Sequence, residues 1–408
     1  MLKNNGFFSS RLTGGFFLHV RRVALIFCLL VTISTTHYAC AETDLLQEAG
    51  RVAVLDTLIH NAVRRGLISG AVVLVGNHKE TLYAQAVGRA GFEKDARPLT
   101  LSTVFDVASL TKVFATTPAI IRLMDQGNLS LLDPVSRWFP EFAGSDITIL
   151  HLLTHTSGLY DGMLDHDAPL ESAIRRAGLK AGSVRAGTRF QYADINFILL
   201  GNLVRRVSSM GLDQYCQESF YKPLNMLNSS FNPEVKTNTA ATLGGRTGVL
   251  NGVVQDGNAR LLGGVAGHAG LFSTADDLAR FSRMLLNSGE LDGKKVLSAR
   301  AVSQMTAPYY FRNGSIVRGL GWDRESPFSS PKGTLFSEVS YGHTGYSGTS
   351  VWVDPQADLY VILLTTRINY SNRRSFNRLR SDISTAAAVL FARQEQQTVS
   401  QMLKNTEP

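Results

Sequence analysis

Ser109-Leu110-Thr111-Lys112 sets a hydroxyl three residues ahead of an amine. A serine hydroxyl is a weak nucleophile until a base takes its proton, and a neutral amine can do so. If Ser109 opens a helix, Lys112 shares its face, because residues three apart are neighbours on a helix surface. The helix N-terminus then favours developing negative charge. The plainer reading is that Ser109 only caps a helix. Pro118, six residues after Lys112, predicts that the helix is short or kinked. Tyr192-Ala193-Asp194 lies between a turn at Gly187 and the apolar run Phe197 to Leu200. A tyrosine there relays a proton if a nearby ammonium stabilises its phenolate; otherwise it packs against the helix that follows. Tyr341-Gly342-His343-Thr344-Gly345-Tyr346 enters the last hairpin. Its small residues let a substrate backbone lie along a strand edge, with His343 and Thr344 as side-chain donors. Its plain reading is a glycine-rich strand entry with a structural histidine.

Other candidates are weaker. His151 and His155 are four apart, but a metalloprotease helix needs Glu where Leu152 stands, so both are read as structural. His268 is a candidate to line a cleft, against a loop hydrogen bond. Thr274, with Asp277 three residues later, reads as a helix start. Gly345-Tyr346-Ser347-Gly348-Thr349 ends in Thr, so the chain lacks the Gly-x-Ser-x-Gly elbow of α/β-hydrolases.

These segments need a frame to hold them. Residues 51–66 predict an amphipathic helix with Val54, Leu55, Leu58 and Ile59 on one side. Ala71 to Val75 and Thr81 to Ala84 flank a polar turn at Gly76 to Lys79; Thr349 to Val353 and Leu359 to Leu364 flank Asp354 to Asp358. Both pairs read as β-hairpins. A final helix is predicted over about 375–393, with a polar tail from Gln394. The fold class is therefore α+β: terminal hairpins share one antiparallel sheet flanked by helices, with a mostly helical region inserted. The sheet region covers about 50–112 and 275–394, the helical region about 113–274, and the tail 395–408.

The chain has 408 residues, 44% hydrophobic and 18% charged, with a mean hydropathy of +0.01, which excludes disordered and low-complexity classes. Residues 1–41 hold Lys3, Arg11, Arg21 and Arg22 and no acid, so without them the formal charge falls from +8 to +4. No basic run is left, which argues against a nucleic-acid partner. Arg21-Arg22 precede an apolar run, Val23 to Ser34, shorter than the roughly 20 residues of a membrane span. With Ala39-Cys40-Ala41 they read as a signal peptide, 1–41, cleaved before Glu42. An uncleaved anchor and a lipid on Cys40 are the alternatives. The expected location is periplasmic or secreted, with no stable membrane span after cleavage. Cys28 and Cys40 leave with the signal, and Cys216, in an apolar helical pattern, reads as core packing.

Taken in order, Ser-x-x-Lys, Tyr-x-Asp and His-Thr-Gly resemble the pattern of the serine β-lactamase-related family. This group contains class C β-lactamases, DD-peptidases and family VIII esterases, with Ser-x-x-Lys, Tyr-x-Asn and Lys- or His-x-Gly. Leu152 to Leu159, Phe197 to Gly201 and Gly263 to Thr274 are similar to it too, and the last segments look most like the penicillin-binding protein 4B type. The resemblance covers about residues 50–390. It implies an acyl-enzyme on Ser109, with Lys112 and Tyr192 exchanging the proton and the N–H groups of Ser109 and Tyr346 forming an oxyanion hole. Asp194, His343, Thr344, Gly345 and Tyr346 would bind substrate, and no metal or organic cofactor is implied. Two residues depart from the pattern. His343 replaces the β-lactamase Lys, and an ordinary imidazole is only about a quarter protonated at pH 7, so β-lactam interaction is expected to be weak. Asp194 replaces Asn. It favours an ammonium on Lys112 and moves the base role to Tyr192, or attracts a cationic substrate group such as a free amine, or points away. The expected substrate is a small molecule or peptidoglycan peptide cleaved at an amide or ester. The alternatives are a promiscuous esterase and a noncatalytic sensor of peptidoglycan fragments, and the oligomeric state is left open.

Overall fold

The run Ile68-Ser-Gly-Ala-Val-Val-Leu-Val-Gly76 does not alternate apolar with polar residues, and a strand of that kind must be covered on both faces. In the computed structural model, which describes residues 52–312 and 315–392, it is strand β1 and is buried almost throughout. The predicted signal peptide and the 395–408 tail lie outside the described residues. The chain divides after Val54, and the unit from Leu55 onward holds the sheet, its helices and the site.

β2 (Thr81–Gly88) completes the first hairpin. β3 (Tyr341–Thr344), β4 (Ser350–Asp354) and β5 (Leu359–Arg367) come from the far end of the chain. The five form one antiparallel sheet in the order β3-β4-β5-β1-β2. The two terminal hairpins therefore share one sheet, joined by β1 against β5 in the register Val72↔Leu364, Leu74↔Ile362. Val72, Leu74, Ile362 and Leu364 belong to the main core together with Leu278 and Phe281. The alternate residues Val73, Val75 and Leu363 are as deeply buried.

Four helices matter for the site: α1 (Thr117–Asp125), α2 (Asp194–Ser208), α3 (Ala275–Leu286) and α4 (Arg373–Phe391). α3 packs on β1 and β5 and starts as predicted, with the Asp277 N–H donating to Thr274 Oγ1 at 3.3 Å. The span read as helical also carries short strands. Leu271–Ser273 pairs with both Phe105–Asp106 and Ser230–Phe231, and this small sheet supports the turn leading to Ser109.

Ser109 does not open an ordinary α-helix. A single 3₁₀ turn, Ala108–Leu110, runs into a wide π-helical turn, Lys112–Thr116, and only then into α1. Pro118, second in α1, has no N–H for the Phe114 carbonyl four residues earlier. The Tyr221 hydroxyl donates to that carbonyl instead, at 3.1 Å. The Cys216 thiol reaches the Ala115 carbonyl at 3.5 Å, so Cys216 packs in the core as expected. Tyr221 thus supplies the donor that proline removes, and Cys216, also about a hundred residues away, reaches the next carbonyl of the same turn.

Candidate active site

Ala108 carries φ +48°, a conformation a Cβ-bearing residue adopts only at a cost of about 1–2 kcal/mol. The Asp106 carboxylate holds it there by accepting the Ala108 N–H at 2.8 Å, while its second oxygen accepts the Gln255 N–H at 2.7 Å. Burial pushes the Asp106 carboxyl up to about 6 despite these two donors. The tight turn delivers Ser109 to the junction of two cavities, of about 420 and 630 Å³.

Lys112 is fully buried, and its ammonium has three protons to place. Nζ lies 3.1 Å from Ser109 Oγ, 3.0 Å from the His268 carbonyl and 2.7 Å from Asp194 Oδ1. The first two are hydrogen bonds, and the third is an ion pair. Burial alone would push the amine down, but Asp194 and Tyr192 outweigh it, and the net shift is upward. Asp194 is held below its usual range: burial pushes it up, and Lys112 and His268 more than reverse that. Its position at the start of α2 also suits a carboxylate. Of the three roles open to Asp194, the geometry therefore contains the ion pair, with Lys112 an ammonium at rest.

Tyr192 precedes α2 and interacts with the side chains of both Lys112 and Ser109. Burial raises its phenol, and the neighbouring ammonium offsets part of that. His155 is its platform, with ring centroids 4.4 Å apart and planes 26° from parallel. His155 Nδ1 accepts the Ala193 N–H at 3.2 Å. Burial, then Arg318 and Lys112, hold this imidazole well below its usual pKa and therefore neutral. His151 is employed separately, its Nδ1 accepting the Thr148 N–H at the start of Ile149–Leu153. Both histidines are structural, as their spacing around Leu152 suggested.

β3 brings the third segment. A Cβ on Gly345 would collide with Thr349 Oγ1 and the Val107 carbonyl, so only glycine lets this strand end close on the nucleophile's turn. Ser347 Oγ donates to the Asp106 carbonyl (2.8 Å) and Thr349 Oγ1 to the Val107 carbonyl (3.0 Å). Arg380, buried in α4, donates to the carbonyls of Gly345 (2.8 Å) and Thr349 (2.6 Å). These bonds set the backbone of Thr344, Gly345 and Tyr346 beside Ser109.

His343 differs from expectation. Its Nδ1 lies 2.9 Å from the Thr344 carbonyl, so Nδ1 carries the proton and Nε2 is left as an acceptor. Burial, then Arg318 and Lys112, push its pKa well below the ordinary value. The imidazole is neutral at pH 7, not a quarter charged, and gives its one N–H to the backbone. The cations of this cleft are instead arginines that sequence reasoning missed: Arg318, Arg367, Arg373 and Arg380 line the smaller cavity with His343. The larger cavity holds Asp194 and His268, as well as Asp256 and Gln255, also unforeseen. His268 does line the cleft, and its Nε2 meets Asp256 Oδ1 at 2.9 Å.

A serine whose hydroxyl meets a buried lysine and a tyrosine, on a helix-covered antiparallel sheet, defines the serine acyl-transfer hydrolases. The Beta-lactamase family profile matches residues 55–385, and the chain belongs to this family and is a serine hydrolase. It is 31% identical over 356 residues to the N-acetylmuramyl-L-alanine amidase of Bacillus subtilis (strain 168), covering 77% of this chain and 80% of that protein. It is 30% identical over 403 residues to an Escherichia coli (strain K12) protein named as a candidate D-alanyl-D-alanine carboxypeptidase, covering 85% and 91%. In fold it is similar to a penicillin-binding protein homologue of Caulobacter crescentus, with a TM-score of 0.70 and 20% identity, over 83% of this chain and 97% of that one.

Proposed function

We propose that this protein is an exported hydrolase that cleaves cell-wall peptides through an acyl-enzyme on Ser109. The observation that carries the reading is the buried Lys112 ammonium, hydrogen-bonded to Ser109 Oγ and ion-paired with Asp194. The reactive form is one proton short of the resting Lys112–Tyr192 pair. As Ser109 Oγ bonds to the carbonyl carbon, its proton passes to that pair. Collapse of the tetrahedral intermediate breaks the bond to the leaving group, and the pair returns the proton to it. Water then adds to the acyl-enzyme by the same route reversed and frees the acid. The backbone N–H groups of Ser109 and Tyr346 are assigned to the developing oxyanion.

The arginine-lined cavity supports a substrate with a terminal carboxylate, the role a neutral His343 cannot fill. The amidase and carboxypeptidase relatives support a peptidoglycan peptide. Export is supported by the 1–41 sequence pattern, and among the described residues no helix is long and apolar enough to cross a membrane.

Intact-mass spectrometry tests the reading, with a fluorophosphonate and a penicillin offered separately to the protein and to Ser109→Ala. A single adduct that Ser109→Ala abolishes is the expected result. A penicillin adduct favours cell-wall peptides, and fluorophosphonate alone favours esters. No adduct on folded protein refutes the acyl-enzyme and leaves a binding protein for peptidoglycan fragments.

A further inference from the structure

The two cavities that meet at Ser109 differ in sign. Arginines line the smaller one, whereas the larger presents acceptors: Asp194, Asp256 and Gln255. Ligand atoms of Asp194, Asp256 and His268 all lie within 4.8 Å of one another. Asp256 Oδ1 is committed, accepting from the Ala259 N–H at 2.8 Å and from His268. The Asp256 hydrogen bonds all fall on Oδ1, and Asp194 Oδ1 is ion-paired with Lys112 but accepts no hydrogen bond among the described residues. Gln255 is more than nine-tenths buried. Its amide N–H₂ is spent on the Leu243 carbonyl (2.7 Å) and the Tyr370 hydroxyl (2.9 Å), which leaves Oε1 without a donor among the described residues. His268 Nδ1, equally buried, also lacks a hydrogen-bond partner among the described residues. Tyr346 and Tyr370, with ring centroids 5.1 Å apart, lie along the same cavity.

A wall of acceptors and aromatic faces asks for a donor that carries positive charge. Two carboxylates face the Lys112 ammonium, and the other polar neighbours are His268, paired with Asp256 at 2.9 Å, and Arg260, which is turned onto the carbonyls of Val254 and Gln255. One monovalent ammonium would offer donors to the Asp256 and Asp194 carboxylates and to Gln255 Oε1 together. A divalent ion would have to sit beside the Lys112 ammonium, which lies 2.7 Å from Asp194.

We propose that Asp256 and Asp194, with Gln255, form an ammonium subsite, so that Ser109 acts preferentially on substrates bearing a free primary amine beside the scissile carbonyl. This rests on the acyl-enzyme reading and names the substrate class for it. Asp256 is the specificity residue, since Asp194 is already engaged with Lys112.

D-alanine p-nitroanilide and its N-acetyl derivative are the probes, offered to the protein and to Asp256→Asn. Asparagine keeps the cap on Gly257–Leu261, so the substitution leaves that helix its N-terminal acceptor. The expected kcat/KM ratio favours the free amine roughly tenfold to a hundredfold, the range for a hydrogen bond to a buried charge, and falls toward one in Asp256→Asn. Fluorophosphonate labelling of Ser109 is followed in the same samples. Without labelling, the acyl-enzyme reading fails. With labelling, equal turnover of both probes, turnover of the acetylated one alone, or turnover of neither overturns the ammonium subsite. A ratio that Asp256→Asn leaves unaltered overturns the role of Asp256, and activation by added Mg²⁺ or Zn²⁺ would make the cluster a metal site.

Discussion

Asp194→Asn should shift the pH dependence of acylation toward acid. The carboxylate lies 2.7 Å from the Lys112 ammonium, which itself has no contact with solvent. At an effective dielectric constant of about 20, a unit charge pair at that distance is worth ~6 kcal/mol, or roughly four pKa units on Lys112. Asp194 is partly open to the cavity, with 30% of its side chain exposed, and the asparagine dipole keeps part of the attraction, so about half should be lost. The expected fall is therefore about two units in the macroscopic pKa of the Lys112–Tyr192 pair. The assay is stopped-flow acylation by p-nitrophenyl acetate, which has no charge for either cavity to select, from pH 6 to 10. The rising alkaline limb should move down by about two pH units, and where both proteins lie below their limbs the variant should acylate roughly a hundredfold faster. A limb that stays in place, or moves up, would refute the claim that the carboxylate sets the resting proton of the pair.

Asp106 anchors the strained turn, and Asp106→Asn leaves one of the Ala108 and Gln255 N–H groups unpaired, at about 1–3 kcal/mol. The folded carboxyl, at about 6, is raised above its unfolded 3.8, so the wild type is penalised progressively as pH rises from about 4 to 6, by at most ~3 kcal/mol. The stability gap between wild type and Asp106→Asn in urea titrations should narrow over that window; a constant or widening gap contradicts the account. Tyr221→Phe strips the Phe114 carbonyl of its donor beside Pro118 and should cost about 1–3 kcal/mol in the same titration, a loss under 0.5 kcal/mol being the contrary result. His343 should show the neutral Nδ1–H tautomer by ¹⁵N NMR throughout pH 6 to 8, and a midpoint near 6.5 would return to it the carboxylate-binding charge now assigned to the arginines.

The sheet was legible because its strands announce themselves locally. Ala71 to Val75 and Leu359 to Leu364 are continuous apolar runs bounded by turn residues, and antiparallel pairing of two such hairpins is the simplest way to cover them. Ser109 and Lys112 were legible from their spacing of three, although a 3₁₀ turn and a π turn bring them together in place of the expected α-helix. What escaped reading depends on residues brought from far along the chain. The wide turn after Lys112 is completed by Tyr221 and Cys216, the neutrality of His343 is owed partly to Arg318, and the acceptor wall needs Gln255 and Asp256. Arg373, Asn377 and Arg380 look, in sequence, like the polar face of any helix; only packing of α4 beside the strand end separates the buried Arg380 from a solvated one. Asp194 lay between these cases: its position beside a lysine was guessable, its direction was not.

The position of β1 between β2 and β5 has a temporal consequence. Val72 finds its partner Leu364 only after nearly three hundred further residues have been made. Ser109, Lys112 and Tyr192 leave the ribosome long before Gly345 and Arg380, which seat the strand end against the nucleophile. Pairing across such a separation is entropically slow, so the sheet closes late. A growing chain therefore lacks the strand end and the Arg380 bonds that set Gly345 beside the nucleophile until β3 and α4 have been made. In a hydrolase read as acting outside the cytoplasm, the complete site thus depends on the part of the chain that is made last.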